Sequence, residues 1–228
     1  MSNILACFTK RLNEEWLPDF CSHRNHSTQG FSSASIAKLT EHDAYWFMRT
    51  IDEKLVEIDR GCFTVTRSAA NEQIFWEGKR SCDPRPITLW IEPVITIGTV
   101  GRLHNEFGWP IDKLGMQSKT WAFDLVGYDV AGNERLACEV KKDRREIDLM
   151  MAHIQEYSAI GKLDTEPTNP KARNAYRKVK GIRRSWPTWF WALGPAGYGG
   201  VWRIDRISNT ETFALVPSTE TELRHHDA

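Results

Sequence analysis

The sequence WAFDLVGYDVAGNERLACEVKK, residues 121–142, contains two apolar segments joined by a Gly-Asn turn. Asp124 lies near the start of the first segment, and Glu139 and Lys141 end the second. Because side chains alternate along a β-strand, Glu139 and Lys141 point to the same face. The same alternation turns Asp129 away from the face of Asp124, so Asp129 is predicted to be a turn residue. The pattern therefore predicts a hairpin with two carboxylates and one ammonium on an otherwise apolar face.

This set of charges has no packing explanation, but it suits phosphodiester hydrolysis with a divalent cation and a water. Mg²⁺ prefers oxygen ligands and needs only one or two carboxylates from the protein. Asp124 and Glu139 are the candidate metal ligands, and the backbone carbonyl of Val140 is a further one. Lys141 is the candidate group that orients the water or stabilises the developing charge.

An Asp on one strand and a Glu-x-Lys on the next resemble the PD-(D/E)xK nuclease superfamily, over roughly residues 90–200. The resemblance implies an α/β (mixed α+β) protein with the restriction-endonuclease-like αβββαβ core, a central mixed sheet flanked by helices. It also implies that Asp124, Glu139 and Lys141 are catalytic, with Mg²⁺ or Mn²⁺ as the cofactor. Phe123 stands where the motif has Pro, a departure that the family tolerates.

Members of this family usually carry a further acid on the first helix of the core. Glu92, which precedes Pro93 and lies 32 residues before Asp124, is the first candidate for this catalytic position. Glu106 is the alternative. About four helical turns, or roughly 20 Å, separate the two acids, so both cannot belong to one site.

Hydrophobic periodicity predicts the secondary structure around the motif. Predicted helices cover residues 11–17, 41–59, 94–107, 147–160 and 171–184. Predicted strands cover residues 62–66, 73–77, 87–90, 121–128, 135–141, 189–193, 201–207 and 213–216. Two glycines in 94–107 indicate close packing against a neighbour. The family has one more strand before the Asp strand, and only residues 111–120 are available for it.

The predicted domain organisation has three parts. Residues 1–60 form an N-terminal helical extension, with a boundary between 60 and 85. Residues 61–217 form the nuclease-like domain, and residues 218–228 form a disordered tail. The extension is expected to recognise a protein partner, a second copy of the chain or a DNA feature.

The formal net charge is zero, but the charges are unevenly distributed. Residues 171–206 contain nine Lys or Arg and one acid, so the predicted helix 171–184 is expected to contact a nucleic-acid backbone. The alternative is the solvated face of an ordinary amphipathic helix. The candidate nucleic-acid-binding residues are Lys142, Arg144, Arg145, Arg173, Arg177, Lys178, Lys180, Arg183 and Arg184.

Five cysteines without a Cys-x-x-Cys pair argue against a disulfide scaffold and for a reducing compartment. The apolar runs are too short for a signal peptide or a membrane span, so a cytoplasmic protein without membrane association is expected. The motif and the basic segment together predict a Mg²⁺-dependent endonuclease that cuts DNA, in defence against foreign DNA or in recombination and repair. The alternatives are an RNA nuclease and a catalytically silent module that binds nucleic acid.

Overall fold

A six-stranded sheet organises the computed structural model, which describes residues 3–119, 122–208 and 210–225. In chain order the α-helices are α1 (Asn3–Arg11), α2 (Leu17–Arg24), α3 (Glu41–Asp52), α4 (Ile91–Phe107), α5 (Arg144–Ser158) and α6 (Pro170–Ser185). The strands are β1 (Phe31–Ser32), β2 (Glu57–Asp59), β3 (Cys62–Thr64), β4 (Glu72–Gln73), β5 (Phe75–Glu77), β6 (Ile87–Leu89), β7 (Leu114–Met116), β8 (Leu125–Tyr128), β9 (Glu134–Val140), β10 (Trp189–Leu193), β11 (Gly199–Arg206) and β12 (Phe213–Ser218).

The strand order in this sheet is β12-β11-β10-β9-β8-β7. Strands β7, β8 and β9 form an antiparallel meander, and β10 pairs with β9 in parallel. A parallel connection needs a long crossover, which α5 and α6 provide here. The mixed α+β class is confirmed. From α4 to β10 the chain runs helix, three strands, two helices, strand, and the first of these strands, β7, has only three residues.

The predicted hairpin is present, but the strand predicted over 121–128 is shorter: β8 begins at Leu125, just after Asp124, and Trp121 lies outside the described residues. The Asp129 carboxylate accepts a hydrogen bond from the Asn133 backbone N–H at 2.8 Å, which closes the turn. Gly132 has a φ of 86°, a conformation that glycine adopts without steric cost. Asp129 is therefore a turn residue, as predicted.

Helices cover both faces of the sheet. Alternate residues of β9, such as Leu136 and Cys138, share one core with α4 and the N-terminal helices. Ala137, between them, belongs to a second core with α5 and α6. Helix α4 lies against α3, and a Cβ on Gly98 would come within 3.0 Å of the Phe47 backbone nitrogen. The predicted close packing of the α4 glycines is thus confirmed.

The helices of the N-terminal region share a core with α4. Phe8 and Phe47 are fully buried with ring centroids 5.6 Å apart, in the same core as α4. The helix predicted over 11–17 is longer, because a π-helical turn (Leu12–Trp16) joins α1 to α2 and the residues flanking this turn keep helical backbone angles.

The helix predicted over 41–59 ends at Asp52. Lys54 adopts a left-handed conformation with φ of 56°, and residues Glu57–Asp59 then form β2. Short 3-10 turns complete the connections: Thr28–Gly30, Ser33–Lys38, Ile111–Lys113, Pro195–Gly197 and Glu220–Leu223.

The segment 218–228, predicted to be disordered, is packed as far as it is described. Leu223 is fully buried, and its carbonyl accepts a hydrogen bond from Trp109 Nε1 at 2.7 Å. Burial of one apolar side chain and this indole hydrogen bond hold the segment against α4. Residues 226–228 lie outside the described residues. Within the described residues, no helix combines the length and the apolar character needed to cross a membrane.

Candidate active site

The hairpin itself brings Asp124 and Glu139 together. Leu125 pairs with Cys138 across the ladder, so the residues just outside that pair are neighbours. The Asp124 backbone N–H donates to the Cys138 carbonyl at 3.1 Å, and Asp124 Oδ2 accepts from the Val140 N–H at 2.8 Å. The predicted meeting of Asp124 with the Glu-x-Lys segment is therefore a feature of the structure.

Two ammonium groups bind the Glu139 carboxylate, whose side chain is only 1% exposed. Lys141 Nζ lies 2.5 Å from Oε1, and Lys178 Nζ lies 2.5 Å from Oε2. Lys141 also donates to the Val140 carbonyl at 2.8 Å, and Lys178 also donates to the Ala122 carbonyl. Lys141 therefore donates hydrogen bonds to Oε1 and to the adjacent carbonyl, whereas Oε2 has the ion pair with Lys178 but no hydrogen bond within the described residues.

The two acids experience opposite electrostatic environments. Burial and the charge of Glu139 raise the pKa of Asp124 to about 7, against the opposing effects of Lys178, Lys141 and the Val140 N–H. Burial alone would raise the pKa of Glu139 too, but Lys178 and Lys141 lower it below its usual value. Glu139 is thus held charged, whereas Asp124 is easily neutralised.

Lys141 is held protonated by the same cluster. Burial alone would lower its pKa, but the carboxylates of Glu139 and Asp124 raise it above the usual value. In this state Lys141 acts as a positive charge and a hydrogen-bond donor, and it cannot accept a proton.

Glu92, and not Glu106, lies beside the cluster. Glu92 Oε1 accepts from the Lys142 backbone N–H at 3.1 Å, at the end of the Glu-x-Lys segment. Glu106 instead binds the Arg102 guanidinium at 2.8 Å. Glu92 and Lys141 line a cleft of about 300 Å³, together with Lys142 and Lys171. Of the two predicted upstream acids, Glu92 is therefore the one that contacts the end of the Glu-x-Lys segment.

A further acid, Glu72 on β4, was not predicted. It is 7% exposed and accepts a hydrogen bond from Gln117 Nε2 at 2.5 Å. Burial raises the pKa of Glu72, and the charges of Glu92 and Glu139 act in the same direction against the Gln117 hydrogen bond. These electrostatic couplings put Glu72 near the cluster. A two-residue strand carries no periodic signal from which this could be read.

Three of the predicted nucleic-acid-binding residues have structural roles instead. Lys178 is 6% exposed and belongs to the buried cluster, so it presents no charge to solvent. The Arg183 guanidinium donates to the carbonyls of Tyr157 and Ile160 at the end of α5, whose last carbonyls have no partner within the helix. Arg173 binds the carbonyl of Thr168 at 2.8 Å, in the loop before α6.

The other six predicted contacts are exposed side chains near the start of α5 or along α6, where they can reach a polyanion. Arg177 is one of them but binds Glu166 at 2.6 Å. Lys142 likewise pairs with Glu146 at 3.2 Å, and the remaining four are Arg144, Arg145, Lys180 and Arg184. Arg177, Lys180 and Arg184 line one cleft of about 490 Å³ beside α6. Lys171, at the start of α6, also lines the cleft of Glu92 and was not among the predicted residues.

Helix α6 packs closely against Ala122 at Gly181, and this packing positions Lys178 in the cluster. A Cβ at this position would lie 2.6 Å from the Ala122 Cβ, too near for any real contact. We expect Gly181→Ala to lower the free energy of unfolding, because overpacking costs about 1–3 kcal/mol and Ala gains only about 1 kcal/mol over Gly in a helix. Urea unfolding measures the effect. Gly161→Ala is the control, since a Cβ there meets no atom within 4 Å, and equal stability of both variants would contradict the packing.

The oxygen atoms of the cluster are the donor type that Mg²⁺ and Mn²⁺ prefer. Among the described residues, no hydrogen bond engages Asp124 Oδ1, and no group of three His, Cys, Asp or Glu side chains is arranged to hold a metal ion. Two carboxylates, the Val140 carbonyl and water still suffice for Mg²⁺. Asp124, Glu139 and Val140 therefore fit a divalent cation by chemistry, provided that the ammonium groups give up part of Glu139.

Comparison of the chain with protein-family models, with curated proteins and with solved structures gave no match.

Proposed function

We propose that this protein is a metal-dependent nuclease that hydrolyses phosphodiester bonds in DNA. The observation that carries the proposal is the convergence of Asp124, Glu139 and Lys141 in one buried cluster, with Glu92 at its edge. The order of elements from α4 to β10 supports it, because it agrees with the αβββαβ core that the resemblance implies, apart from the additional helix α6.

Each residue has a distinct role in this proposal. Asp124 and Glu139, with the Val140 carbonyl, would hold Mg²⁺ or Mn²⁺. The chemistry supplied by the bound cation would be neutralisation of phosphate charge and a lowered pKa of water. The Val140 N–H fixes the orientation of Asp124 through Oδ2. Lys141 supplies a permanent positive charge, which stabilises negative charge that develops on the phosphate.

The surface around the cluster supports a polyanionic substrate. The cleft that Glu92 and Lys141 line also contains Lys142 and Lys171, and a second cleft beside α6 contains Arg177, Lys180 and Arg184. Phosphate contacts of this kind bind any sequence, and their affinity falls as salt rises. DNA is proposed as the substrate and RNA is the alternative, which a panel of both substrates distinguishes.

A second candidate function is a nucleic-acid-binding module without turnover. The observation that favours it is the pair of lysines at Glu139, one in an ion pair with each carboxylate oxygen. This candidate predicts binding that does not depend on metal and does not change when Asp124 is replaced.

Cleavage of supercoiled plasmid by the purified chain tests the proposal. We expect nicking or linearisation with Mg²⁺ or Mn²⁺ and none with EDTA, and we expect Lys141→Ala, purified in parallel, to be inactive because it lacks the positive charge beside Glu139. Lys10→Ala, which changes a lysine that is 70% exposed on α1, should cut like the wild type. Cleavage by Lys141→Ala at the wild-type rate, or a folded wild type that binds DNA without cutting, would contradict the proposal.

A further inference from the structure

Lys178 is a buried cation on a helix that the αβββαβ core does not require. Its ammonium is bound to one oxygen of Glu139 and to the Ala122 carbonyl, and its side chain is 8% exposed. The neighbouring Lys180 is exposed on the same helix. A lysine is rarely buried to this extent unless a specific anion holds it.

With Lys178 present, the positive charge next to Glu139 equals the charge that a bound divalent cation would supply. Lys141 and Lys178 together bring two positive charges to Glu139, and a divalent cation would bring the same charge to the same oxygens. Ammonium groups now use both Glu139 oxygens and the Val140 carbonyl. Three cations at one buried carboxylate would repel one another strongly, because charges interact more strongly in the protein interior than in water.

We infer that Lys178 is a displaceable counter-ion: it neutralises Glu139 in the metal-free protein, and it leaves Glu139 when a divalent cation binds. This inference rests on the proposed function, because it concerns the same cluster. The Ala122 carbonyl provides Lys178 with a second partner, to which the ammonium remains bound when Glu139 is released. Lys178 is thus a positioning residue that sets the affinity for metal, whereas Lys141 remains at the reacting centre.

Calorimetric titration of the full chain with MnCl₂, without nucleic acid, tests the inference. We expect Lys178→Met to bind Mn²⁺ about tenfold more tightly than the wild type, because the cation no longer competes with an ion pair. Lys180→Met is the matched control and should bind like the wild type. In EDTA, Lys178→Met should melt at a lower temperature than the wild type, and Mn²⁺ should raise its melting temperature by more.

A purely structural lysine would change stability and leave metal affinity unchanged, and that result would overturn the inference. Weaker Mn²⁺ binding by Lys178→Met would also overturn it. If Lys178→Met is unfolded in EDTA, Mn²⁺ should restore its circular dichroism spectrum, and failure to do so counts against the inference. Lys178→Gln, which keeps a polar group without charge, should bind Mn²⁺ more tightly than the wild type as well.

The outcomes separate this inference from the proposed function. If the wild type cuts plasmid and Lys178→Met binds Mn²⁺ with the wild-type affinity, the proposed nuclease function is supported and the counter-ion role of Lys178 is refuted. If the wild type does not cut plasmid but Lys178→Met binds Mn²⁺ more tightly, the counter-ion role is supported and the proposed nuclease function is refuted. No Mn²⁺ binding by any of the proteins would overturn the inference and the metal dependence together.

Discussion

Replacing Asp124 with Asn is expected to abolish metal-dependent DNA cleavage, with a loss of roughly 10³-fold or more. The amide oxygen of Asn can still accept the Val140 N–H, which Asp124 now accepts at 2.8 Å. The substitution therefore keeps the local geometry and removes one negative charge from the metal ligands. Plasmid cleavage at saturating Mg²⁺ measures the loss, and Asp129→Asn, the same change at the other end of the hairpin, serves as the matched control.

The fold should not lose stability in Asp124→Asn. Burial and the charge of Glu139 raise the pKa of Asp124 to about 7, so the ionised side chain opposes folding above that pH. At pH 8 in EDTA, the free energy of unfolding of Asp124→Asn should equal or exceed that of the wild type. The difference should shrink between pH 7 and about pH 4, because folded wild type there keeps a proton on Asp124 that the unfolded chain binds only near the ordinary pKa of 3.8. A variant that still cuts DNA, or one that unfolds, would refute the role given to Asp124.

Replacing Glu139 with Gln is expected to have the opposite effect on stability. The neutral amide would leave the ammonium groups of Lys141 and Lys178 buried without the carboxylate that now lies 2.5 Å from each. Removing one partner of a buried ion pair typically costs about 3–5 kcal/mol. Urea unfolding in EDTA measures the change.

Two comparisons make the Glu139 prediction specific. Adding Lys178→Met to Glu139→Gln removes one unpaired cation and should recover much of the lost stability. Glu166→Gln breaks an ion pair of 2.6 Å with Arg177 on the surface, and such pairs contribute less than about 1 kcal/mol. Equal stability of Glu139→Gln and Glu166→Gln would contradict the arrangement in which two buried ammonium groups pair with one carboxylate.

The core of the candidate site was predictable because it is local in sequence. Asp124, Glu139 and Lys141 lie on one hairpin, and the alternation of strand side chains decides which face each of them takes. The short β7 also agrees with the limited chain between α4 and Asp124. Glu92 could be proposed only through the family resemblance, and its contact with Lys142 depends on how α4 meets the sheet.

The inward orientation of the Lys178 side chain was not predicted, although the helix that carries it was. Ala175 and Ile182, three residues before and four after it, are fully buried, so helical spacing puts Lys178 toward the core. A lysine in a basic run is usually solvated, and the partner that reverses this preference, Glu139, is 39 residues away in sequence. Long-range pairing of this kind leaves no local pattern.

The packing partner of the N-terminal helices could not be predicted, for a related reason. The apolar faces of the first three helices indicate that these faces are buried, but the sequence pattern does not identify the element that packs against them. The covering surface is α4, which follows α3 by nearly 40 residues, and close contacts at Gly98 and Gly101 make the two helices one packed unit.

The pairing of Glu139 with Lys178 also has a consequence for the order of events during synthesis. At roughly 5–20 residues per second, a ribosome needs about 2–8 s to add the 39 residues between them. During that interval the carboxylate has only Lys141 as a cationic neighbour from this cluster and stays hydrated, so β9 cannot complete its burial. The nascent chain therefore finishes its candidate catalytic centre only after α6 has emerged, with β10 following a few residues later.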